Sequence, residues 1–266
     1  MITGKDNPKV KYIKKLLDKS SFRNSEKKFV AEGLRAVKEC NRFGTINQLY
    51  ISSGYEEKMS ENRELSDIYN EIKADIKETI RDDIFNKISD TKSPQGILAV
   101  IDMPEVIPDA IYEKKNASVL VLDEVRDPGN IGTIIRTAQG MGFDAVIFSK
   151  GCADIYQPKI VRSTMGSLLK VPCIKLENDI KTELEILKKR GFTIYATALK
   201  NSVSITGIVF NDKAAIIIGN EANGISDEAF SMSDQNITIP MENGLESYNA
   251  SVATSILMYE AGKRNQ

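Results

Sequence analysis

The chain has 266 residues, of which 41% are hydrophobic and 27% are charged, and its formal net charge is −1. This is an ordinary globular composition, and the length is sufficient for one large core or two smaller ones. The absence of histidine excludes a catalytic triad with an imidazole base and any metal centre that depends on histidine ligands.

The three cysteines, Cys40, Cys152 and Cys173, lie too far apart to form a zinc motif, and their odd number argues against a disulfide framework. We therefore expect small core side chains there and no bound metal. No apolar run is long enough to cross a bilayer, and no apolar segment follows the basic N-terminus. We expect a cytoplasmic protein without a membrane segment.

Charge is unevenly distributed along the chain. Residues 1–42 contain twelve Lys and Arg against five Asp and Glu, whereas residues 43–110 contain seven against fourteen. A basic arm beside an acidic stretch indicates an anionic partner such as nucleic acid, although a solvated helix face would carry the same charges.

In chain order, the first third alternates short helical and strand patterns, which predicts a compact α/β domain over residues 1–102. Helices are predicted at 10–19, 34–44, 56–74 and 79–88, and strands at 28–33, 46–52 and 96–102. Residues 103–116 contain two prolines and several charges, which favours a linker.

From residue 117 onward, apolar strands alternate with amphipathic helices. Strands are predicted at 118–125, 144–149, 171–176, 193–199, 214–220 and 236–241, and helices at 131–142, 158–170, 178–191, 225–232 and 249–264. This alternation predicts a mostly parallel sheet covered on both faces. Ligands of such sheets bind outside the carboxyl ends of the strands, where three polar loops would meet.

The first of these loops begins the stretch DPGNIGTIIRTAQGMG (127–142). It satisfies neither the G-x-G-x-x-G pattern nor the P-loop pattern, because the glycine spacing is wrong and no lysine follows. Asn130 is a candidate N-cap for the following helix. Arg136 lies in an otherwise apolar helix, which predicts a buried arginine with a carboxylate or phosphate partner.

The other two loops are also polar. Glu221 follows a buried strand between Gly219 and Gly224, where it could face Arg136, contact a ligand or be a solvated turn residue. Residues 239–253 are rich in Asn, Ser and Gly and lead into an apolar helix capped by Asn249 or Ser251. Free backbone groups in such a loop suit a polar small molecule.

Three motifs in this order resemble those of the SpoU/TrmH-type RNA ribose 2′-O-methyltransferases of the SPOUT superfamily. They are N-x-G-x-x-x-R-T-A (130–138), G-N-E-x-x-G (219–224) and I-P-M-x-x-G-x-x-S-x-N-A-S-V-A (239–253). NPKVKYIKKL, FVAEGLRAVKE and SPQGILAV resemble the substrate-binding domain that many members carry. Tyr248 is a departure, because the family often has leucine there; we expect it to alter packing only.

The resemblance implies a small N-terminal α/β/α RNA-binding domain (1–102), a linker (103–116) and a C-terminal α/β domain (117–266) with a deep trefoil knot. It implies a homodimer formed through the C-terminal domain, and S-adenosylmethionine bound in the knot. The residues it assigns to the cofactor are Ile218, Gly219, Asn220, Glu221, Ile239, Met241, Leu245, Ser247, Asn249 and Ala250.

For catalysis, the resemblance implies Arg136 as the group that assists loss of the hydroxyl proton, with Asn130 and Glu221 completing the site. Arg136 could act as a base or by positioning. We favour positioning of the hydroxyl and stabilisation of the forming oxyanion, because a guanidinium is a poor proton acceptor.

The predicted substrate is RNA, bound by basic residues of the N-terminal arm and by one later helix. These residues are Lys9, Lys11, Lys14, Lys15, Arg23, Lys27, Lys28, Arg162 and Ser163. The kind of N-terminal domain favours 23S ribosomal RNA, while a tRNA substrate and a non-catalytic RNA-binding protein of the same fold remain alternatives. A nicotinamide-dependent enzyme is disfavoured, since its fingerprint is missing.

Overall fold

A computed structural model of the chain describes residues 1–199, 201–245 and 247–263. They form two compact units. The first unit contains Met1–Glu105 and Asp154–Leu169, and the second contains Val106–Ala153 and the residues from Lys170 onward.

Twelve α-helices are formed by the described residues. They are α1 (Pro8–Asp18), α2 (Ser20–Glu26), α3 (Leu34–Phe43), α4 (Ser53–Glu61), α5 (Arg63–Glu71), α6 (Asp82–Ile88), α7 (Pro108–Tyr112), α8 (Pro128–Gly140), α9 (Pro158–Ser163), α10 (Ile180–Lys189), α11 (Asp227–Ser231) and α12 (Ala250–Gly262). None of these helices is long and apolar enough to cross a membrane.

Eleven strands accompany them within the same described ranges. They are β1 (Lys28–Glu32), β2 (Ile46–Ser52), β3 (Ile76–Ile80), β4 (Ile97–Asp102), β5 (Ala117–Leu122), β6 (Ala145–Phe148), β7 (Cys173–Lys175), β8 (Thr193–Thr197), β9 (Val203–Ser204), β10 (Lys213–Ile218) and β11 (Gln235–Thr238).

The first unit is built on a four-stranded sheet with the order β1-β4-β2-β3. Strand β4 is antiparallel to both of its neighbours, and β3 is parallel to β2. Alternate strand residues such as Tyr50 and Leu98 form one core with Ile13 of α1 and Phe85 of α6. Helices α3 and α4 pack against the same sheet, so the predicted small α/β domain is confirmed.

Two predicted elements of this unit were wrong. The expected helix 56–74 is two helices, because Asn62 ends α4 and its side chain accepts a hydrogen bond from the Leu65 amide at the start of α5 (3.3 Å). The expected helix 79–88 begins only at Asp82, and the preceding Ile76–Ile80 is strand β3, paired with β2. Three β-branched residues, Ile76, Thr79 and Ile80, favour the extended conformation there.

The second unit is built on a seven-stranded sheet with the order β7-β6-β5-β10-β8-β11-β9. Every pairing of described strands in this sheet is parallel, which confirms the predicted mostly parallel α/β sheet. One face forms a core with Tyr112 of α7, Leu184 of α10 and Ala229 of α11. Helices α8 and α12 pack against each other.

The division into units differs from the predicted domain boundaries at two places. The predicted linker 103–116 contains α7, whose Ile111 and Tyr112 are buried in the core of the second unit. Residues 154–169, predicted to belong to the C-terminal domain, group with the first unit. The helix predicted over 158–170 ends at Ser163, and Met165 and Gly166 then take positive φ values (51° and 89°).

The segment Asp154–Leu169 is held in the first unit by specific contacts. Asp154 accepts hydrogen bonds from Nε and Nη2 of Arg23 (3.0 and 2.6 Å). The rings of Tyr156 and Phe29 lie 5.1 Å apart between centroids. This segment, from the second half of the sequence, therefore forms part of the first unit's core.

Candidate active site

The carboxyl edge of the seven-stranded sheet brings together the loops that follow β5 and β10. These strands are adjacent and in register, with Leu122 opposite Ile218. The Asp123 amide donates to the Ile218 carbonyl (2.8 Å), and the buried Asp123 carboxylate accepts from the Ser226 amide (2.8 Å). Asp123 was not singled out in the sequence, and it ties the two loops together.

Helix α8 begins earlier than predicted, and Asn130 is not its cap. Asp127 is the N-cap, its carboxylate accepts a hydrogen bond from the Asn130 amide (2.8 Å), and Pro128 occupies the first turn. An Asp followed by Pro is a recognised helix-start signal, so the sequence contained the information. Because the cap is Asp127, the side chain of Asn130 is available for another contact.

That contact is with Glu221. The buried Asn130 donates from Nδ2 to Oε1 of Glu221 over 2.8 Å. Glu221 is exposed and this bond uses only its Oε1 atom, so a contact of its carboxylate with Arg136 or a ligand stays a prediction. The pair joins the first turn of α8 to the loop after β10.

Asn220 fixes the loop that presents Glu221. Its Oδ1 accepts from the amides of Ala222 and Asn223 (2.9 and 3.2 Å), and its Nδ2 donates to the Glu124 carbonyl (2.9 Å). Asn220 and Gly224 exchange backbone hydrogen bonds of 2.8 and 2.9 Å. A Cβ at Gly219 would lie 2.1 Å from the Gly224 carbonyl carbon, so the closed loop requires glycine there.

Arg136 lies on the exposed side of α8. The buried residues of this helix include Ile131, Ile134, Ile135 and Ala138. The Arg136 side chain makes no hydrogen bond or ion pair with any described residue. The expected burial of Arg136 was wrong, because the apolar residues form one face and Arg136 projects from the other. No described carboxylate pairs with it, and a phosphate partner stays a prediction. Its guanidinium is free to bind an external anion or hydroxyl.

The third loop, residues 239–249, retains unused donors. Among the described residues, the backbone amides of Met241, Glu242, Asn243 and Gly244 donate to no acceptor. Asn243 and Gly244 have positive φ values (56° and 73°). Exposed, unsatisfied amides of this kind can bind a polar small molecule.

The predicted cofactor residues differ in their exposure. Ile218 and Ala250 are buried, Gly219, Asn220, Ile239 and Met241 are partly buried, and Glu221, Leu245, Ser247 and Asn249 are exposed. Asn249 is the N-cap of α12, since its Oδ1 accepts from the Ser251 and Val252 amides (3.0 and 3.4 Å). Its Nδ2 group remains available. Glu246, inside the predicted cofactor loop, lies outside the described residues, as do Lys200 and residues 264–266 of the predicted domain.

The cysteines provide no nucleophile. Burial raises the pKa of the Cys40 and Cys173 thiols to about 12, and it also raises the pKa of Cys152. The Cys152 thiol donates to the Leu122 carbonyl (3.2 Å). All three are therefore neutral thiols at physiological pH. Among the described residues, no group of three or more Cys, Asp or Glu side chains is arranged to hold a metal ion.

The prediction that Arg23 binds RNA was wrong. Its side chain is buried, and besides Asp154 it donates to the carbonyls of Leu16 and Leu17 (2.6 and 2.9 Å). A guanidinium so completely bonded inside the unit cannot also contact a phosphate. The sequence around Arg23 does not indicate this burial, because its partner Asp154 lies 131 residues further along the chain.

The other predicted RNA-binding residues fall into two groups. Lys9 and Lys28 form ion pairs of 2.5 Å with Glu78 and Asp102, Arg162 forms one of 2.6 Å with Asp90, and the Ser163 hydroxyl donates to the Ile160 carbonyl. Lys11, Lys14, Lys15 and Lys27 are exposed. Lys11 has only the exposed Asp6 as a partner (3.1 Å), and Lys15 lies 5.5 Å from the Phe22 ring centroid.

The fold is that of an α/β protein with polar loops at the carboxyl edge of its parallel sheet. The family model described as SpoU rRNA Methylase family matches residues 117–259, and the model described as MRM3-like substrate binding domain matches residues 7–99. The chain belongs to the SpoU rRNA methylase family.

Similar proteins match this chain over nearly its whole length. It is 33% identical over 261 residues to a Bacillus subtilis protein named 23S rRNA (guanosine(2553)-2′-O)-methyltransferase RlmP, covering 97% of each. The AdoMet-bound rRNA methyltransferase from Sinorhizobium meliloti is 25% identical, with a TM-score of 0.84 over 100% of this chain and 98% of the other. AviRb from Streptomyces viridochromogenes, solved with AdoMet, shares the fold at 23% identity, with a TM-score of 0.85 over 97% and 98% of the two chains.

These findings confirm the activity class predicted from the motifs. The chain is an S-adenosylmethionine-dependent RNA ribose 2′-O-methyltransferase. The amides of residues 241–244, which donate to no acceptor among the described residues, fit a cofactor that carries several polar groups.

Proposed function

We propose that this enzyme methylates a ribose 2′-hydroxyl of 23S rRNA, with Arg136 holding the target nucleotide. The observation that carries the proposal is the contrast within α8. Asn130 is bonded to Glu221, whereas Arg136 is exposed and makes no bond to a described residue. The name of the Bacillus subtilis relative supports 23S rRNA over tRNA.

These contacts suggest separate roles for the cofactor and for Arg136 in the proposed reaction. S-adenosylmethionine, when bound, supplies a methyl group on a sulfonium that an oxygen nucleophile can attack directly. Arg136 positions the ribose hydroxyl and stabilises negative charge as it develops on the oxygen. Because guanidinium has no acceptor site, the hydroxyl proton leaves to another base, for which an RNA phosphate is available.

Asn130 and Glu221 act in this proposal as a fixed frame. Their hydrogen bond holds the start of α8 against the loop after β10, so that the residues along α8 are presented in one orientation. Ser247, the Nδ2 group of Asn249 and the amides of residues 241–244 would contact the cofactor or the target nucleotide. Ile218, Gly219, Asn220, Ile239, Leu245 and Ala250 would form the remainder of the cofactor site, mostly through backbone groups.

We also infer a domain division, a quaternary structure and a location. Residues 1–102 would bind RNA and residues 117–266 would carry out methyl transfer, with a trefoil knot around the cofactor. Helix α12 exposes Val252 (47%) and Tyr259 (54%), and such apolar side chains support a homodimer formed through this part of the chain. The 23S rRNA methyltransferase named among its relatives supports a cytoplasmic location.

Two assays test the proposed function. The purified protein, supplied with methyl-labelled S-adenosylmethionine, should label unmodified 23S rRNA transcript and leave bulk tRNA unlabelled. Calorimetric titration with S-adenosylmethionine should show binding without RNA. If only tRNA is labelled, tRNA and not 23S rRNA is the substrate. If the protein binds the cofactor but transfers methyl to neither RNA, neither RNA is the substrate.

A further inference from the structure

A second candidate site lies wholly within the first unit, away from the sheet edge described above. It is a cleft of about 280 Å³ where β1 leads into α3, lined by the first turn of α3, part of the loop that precedes β4, and α9. The side chains that matter for its chemistry are Arg35, Gln95 and Arg162. Arg35 and Gln95 lie in the stretches FVAEGLRAVKE and SPQGILAV, which resemble the substrate-binding domain, and outside the three motifs of the sheet edge.

The cleft contains guanidinium groups with unused donors. Arg35 is exposed and has no hydrogen-bond or ion-pair partner among the described residues. Arg162 donates from Nη2 to Asp90 (2.6 Å), but its Nη1 atom is buried and donates to no described atom. A buried donor without an acceptor costs free energy, so its retention calls for an explanation. An anion that enters the cleft would supply the missing acceptor.

The start of α3 adds backbone donors on the same side. Its N-cap, Gly33, has no side chain that could accept a hydrogen bond from the first turn. Gln95 Oε1 accepts a hydrogen bond from the Leu34 amide (2.8 Å). The amides of Arg35 and Ala36 have no acceptor among the described residues. The positive end of the helix dipole therefore coincides with the two arginines.

The acidic residues of the cleft are already engaged. Glu32 is buried, and its carboxylate accepts from the hydroxyls of Ser89 and Thr91 and from the Asp90 amide (3.2 Å). Asp90 is the partner of Arg162. Among the charged side chains that line the cleft, the groups without a described partner are guanidinium donors, so the cleft is suited to an anion with several acceptor oxygens.

We propose that this cleft binds a phosphate group of the RNA substrate, with Arg35 and Arg162 as the two cationic contacts. The inference rests on the proposed function, and it extends it by assigning a docking point on the first unit. A phosphate diester offers the unesterified oxygens that guanidinium groups and helix amides recognise. The match of residues 7–99 to a substrate-binding domain favours RNA over a free anion.

The test compares Arg35→Gln and Arg162→Gln with the matched control Arg63→Gln, whose side chain is 95% exposed on α5. Binding of each full-length variant to unmodified 23S rRNA transcript is titrated between low and moderate KCl. Arg35→Gln should weaken binding about tenfold and lower the slope of log Kd against log salt by about 0.7 to 0.9. If both arginines contact one phosphate, the double variant should lose less than the product of the single losses.

The outcomes separate this proposal from the proposed function. If wild-type protein methylates 23S rRNA while Arg35→Gln binds it with unchanged affinity and salt slope, the cleft is not a contact and the enzyme assignment stands. If wild-type protein binds the transcript through Arg35 but transfers no methyl group, the cleft stands and the proposed function fails. Binding of inorganic phosphate that Arg35→Gln abolishes, together with an RNA affinity that the same substitution leaves unchanged, would assign the cleft to a free phosphate and overturn the RNA proposal. An unchanged melting temperature for Arg35→Gln verifies that the variant is folded.

Discussion

Two arginines, one in each unit, show opposite uses of the same side chain. Arg23 in the first unit is buried and donates to Asp154 and to the Leu16 and Leu17 carbonyls. Arg136 in the second unit is exposed and has no partner among the described residues. Buried, fully bonded cations stabilise structure, whereas an open one can contribute binding energy to a substrate. The chemistry of each arginine is therefore decided by its surroundings and not by its charge alone.

The largest expected effect is the loss of methyl transfer when Arg136, the exposed arginine, is substituted. Arg136→Ala should reduce methyl transfer by about a thousandfold or more, as removal of a group that stabilises developing charge commonly does. Its melting temperature and its affinity for S-adenosylmethionine should stay close to wild type, since the exposed side chain makes no hydrogen bond or ion pair with a described residue. Single-turnover transfer to 23S rRNA, thermal melting and calorimetry measure the three quantities.

The buried arginine should show the opposite pattern. Asp154→Asn leaves the Arg23 charge without its carboxylate, and loss of one partner of a buried pair typically costs about 3 to 5 kcal/mol. Hydrogen exchange of α1 and α2 should accelerate strongly. Asp6→Asn, which removes the partner of the exposed Lys11, is the matched control and should leave exchange unchanged. Equal effects of the two variants would contradict the distinction between the arginines.

The Asp154 carboxylate also predicts a pH dependence. Burial opposes its ionisation, but hydrogen bonds from Arg23 and Ser20 outweigh burial and hold the pKa of Asp154 below its usual value. Its contribution to stability is therefore fully present above about pH 4 and is lost as the pH falls through the lowered pKa. The stability difference between wild type and Asp154→Asn, measured by denaturant titration, should shrink below that pH. A difference that grew toward low pH would have the wrong sign.

The hydrogen bond between Asn130 and Glu221 offers a further test. Asn130→Asp has nearly the same shape but places a carboxylate against Glu221, where Asn130 now donates over 2.8 Å. Repulsion should open the pair and slow methyl transfer by about a hundredfold at neutral pH, with partial recovery at lower pH as one proton is shared. A rate–pH profile identical in shape to that of wild type would remove the pair from the mechanism.

The smallest effects concern the basic arm. Lys14 and Lys15 are exposed, whereas Lys9 and Lys28 are paired with Glu78 and Asp102. Lys14→Gln combined with Lys15→Gln should weaken RNA binding a fewfold and reduce its salt slope, and the double change at Lys9 and Lys28 should do less. Filter binding at two salt concentrations measures both. The reverse order would mean that the paired lysines are the RNA contacts.

Much of this architecture could be predicted from local pattern. The apolar strands 117–122 and 213–218 and their intervening helices indicated a parallel sheet, because such strands are buried on both faces. The position of Arg136 was also recoverable, since successive residues turn by about 100° and Arg136 falls opposite the stripe formed by Ile131, Ile134, Ile135 and Ala138. The Asp-Pro start of α8 was similarly visible.

Other features depend on contacts that local pattern does not contain. Arg23 is buried because Asp154 arrives from far along the chain, and the grouping of residues 154–169 with the first unit has the same cause. Strand β3 forms because it pairs in parallel with β2, although the sequence on either side of it has a helical pattern. The Asn130–Glu221 bond joins residues 91 positions apart, and the two motifs indicated only that both belong to one site.

The most direct test of the central claim is to map 2′-O-methylation in 23S rRNA transcript after incubation with S-adenosylmethionine and either wild-type enzyme or Arg136→Ala. We expect a discrete 2′-O-methylated nucleotide with the wild-type enzyme, and its loss with a variant that still binds S-adenosylmethionine and still melts at the wild-type temperature. The same modification at an undiminished rate with Arg136→Ala would contradict the role assigned to the open arginine.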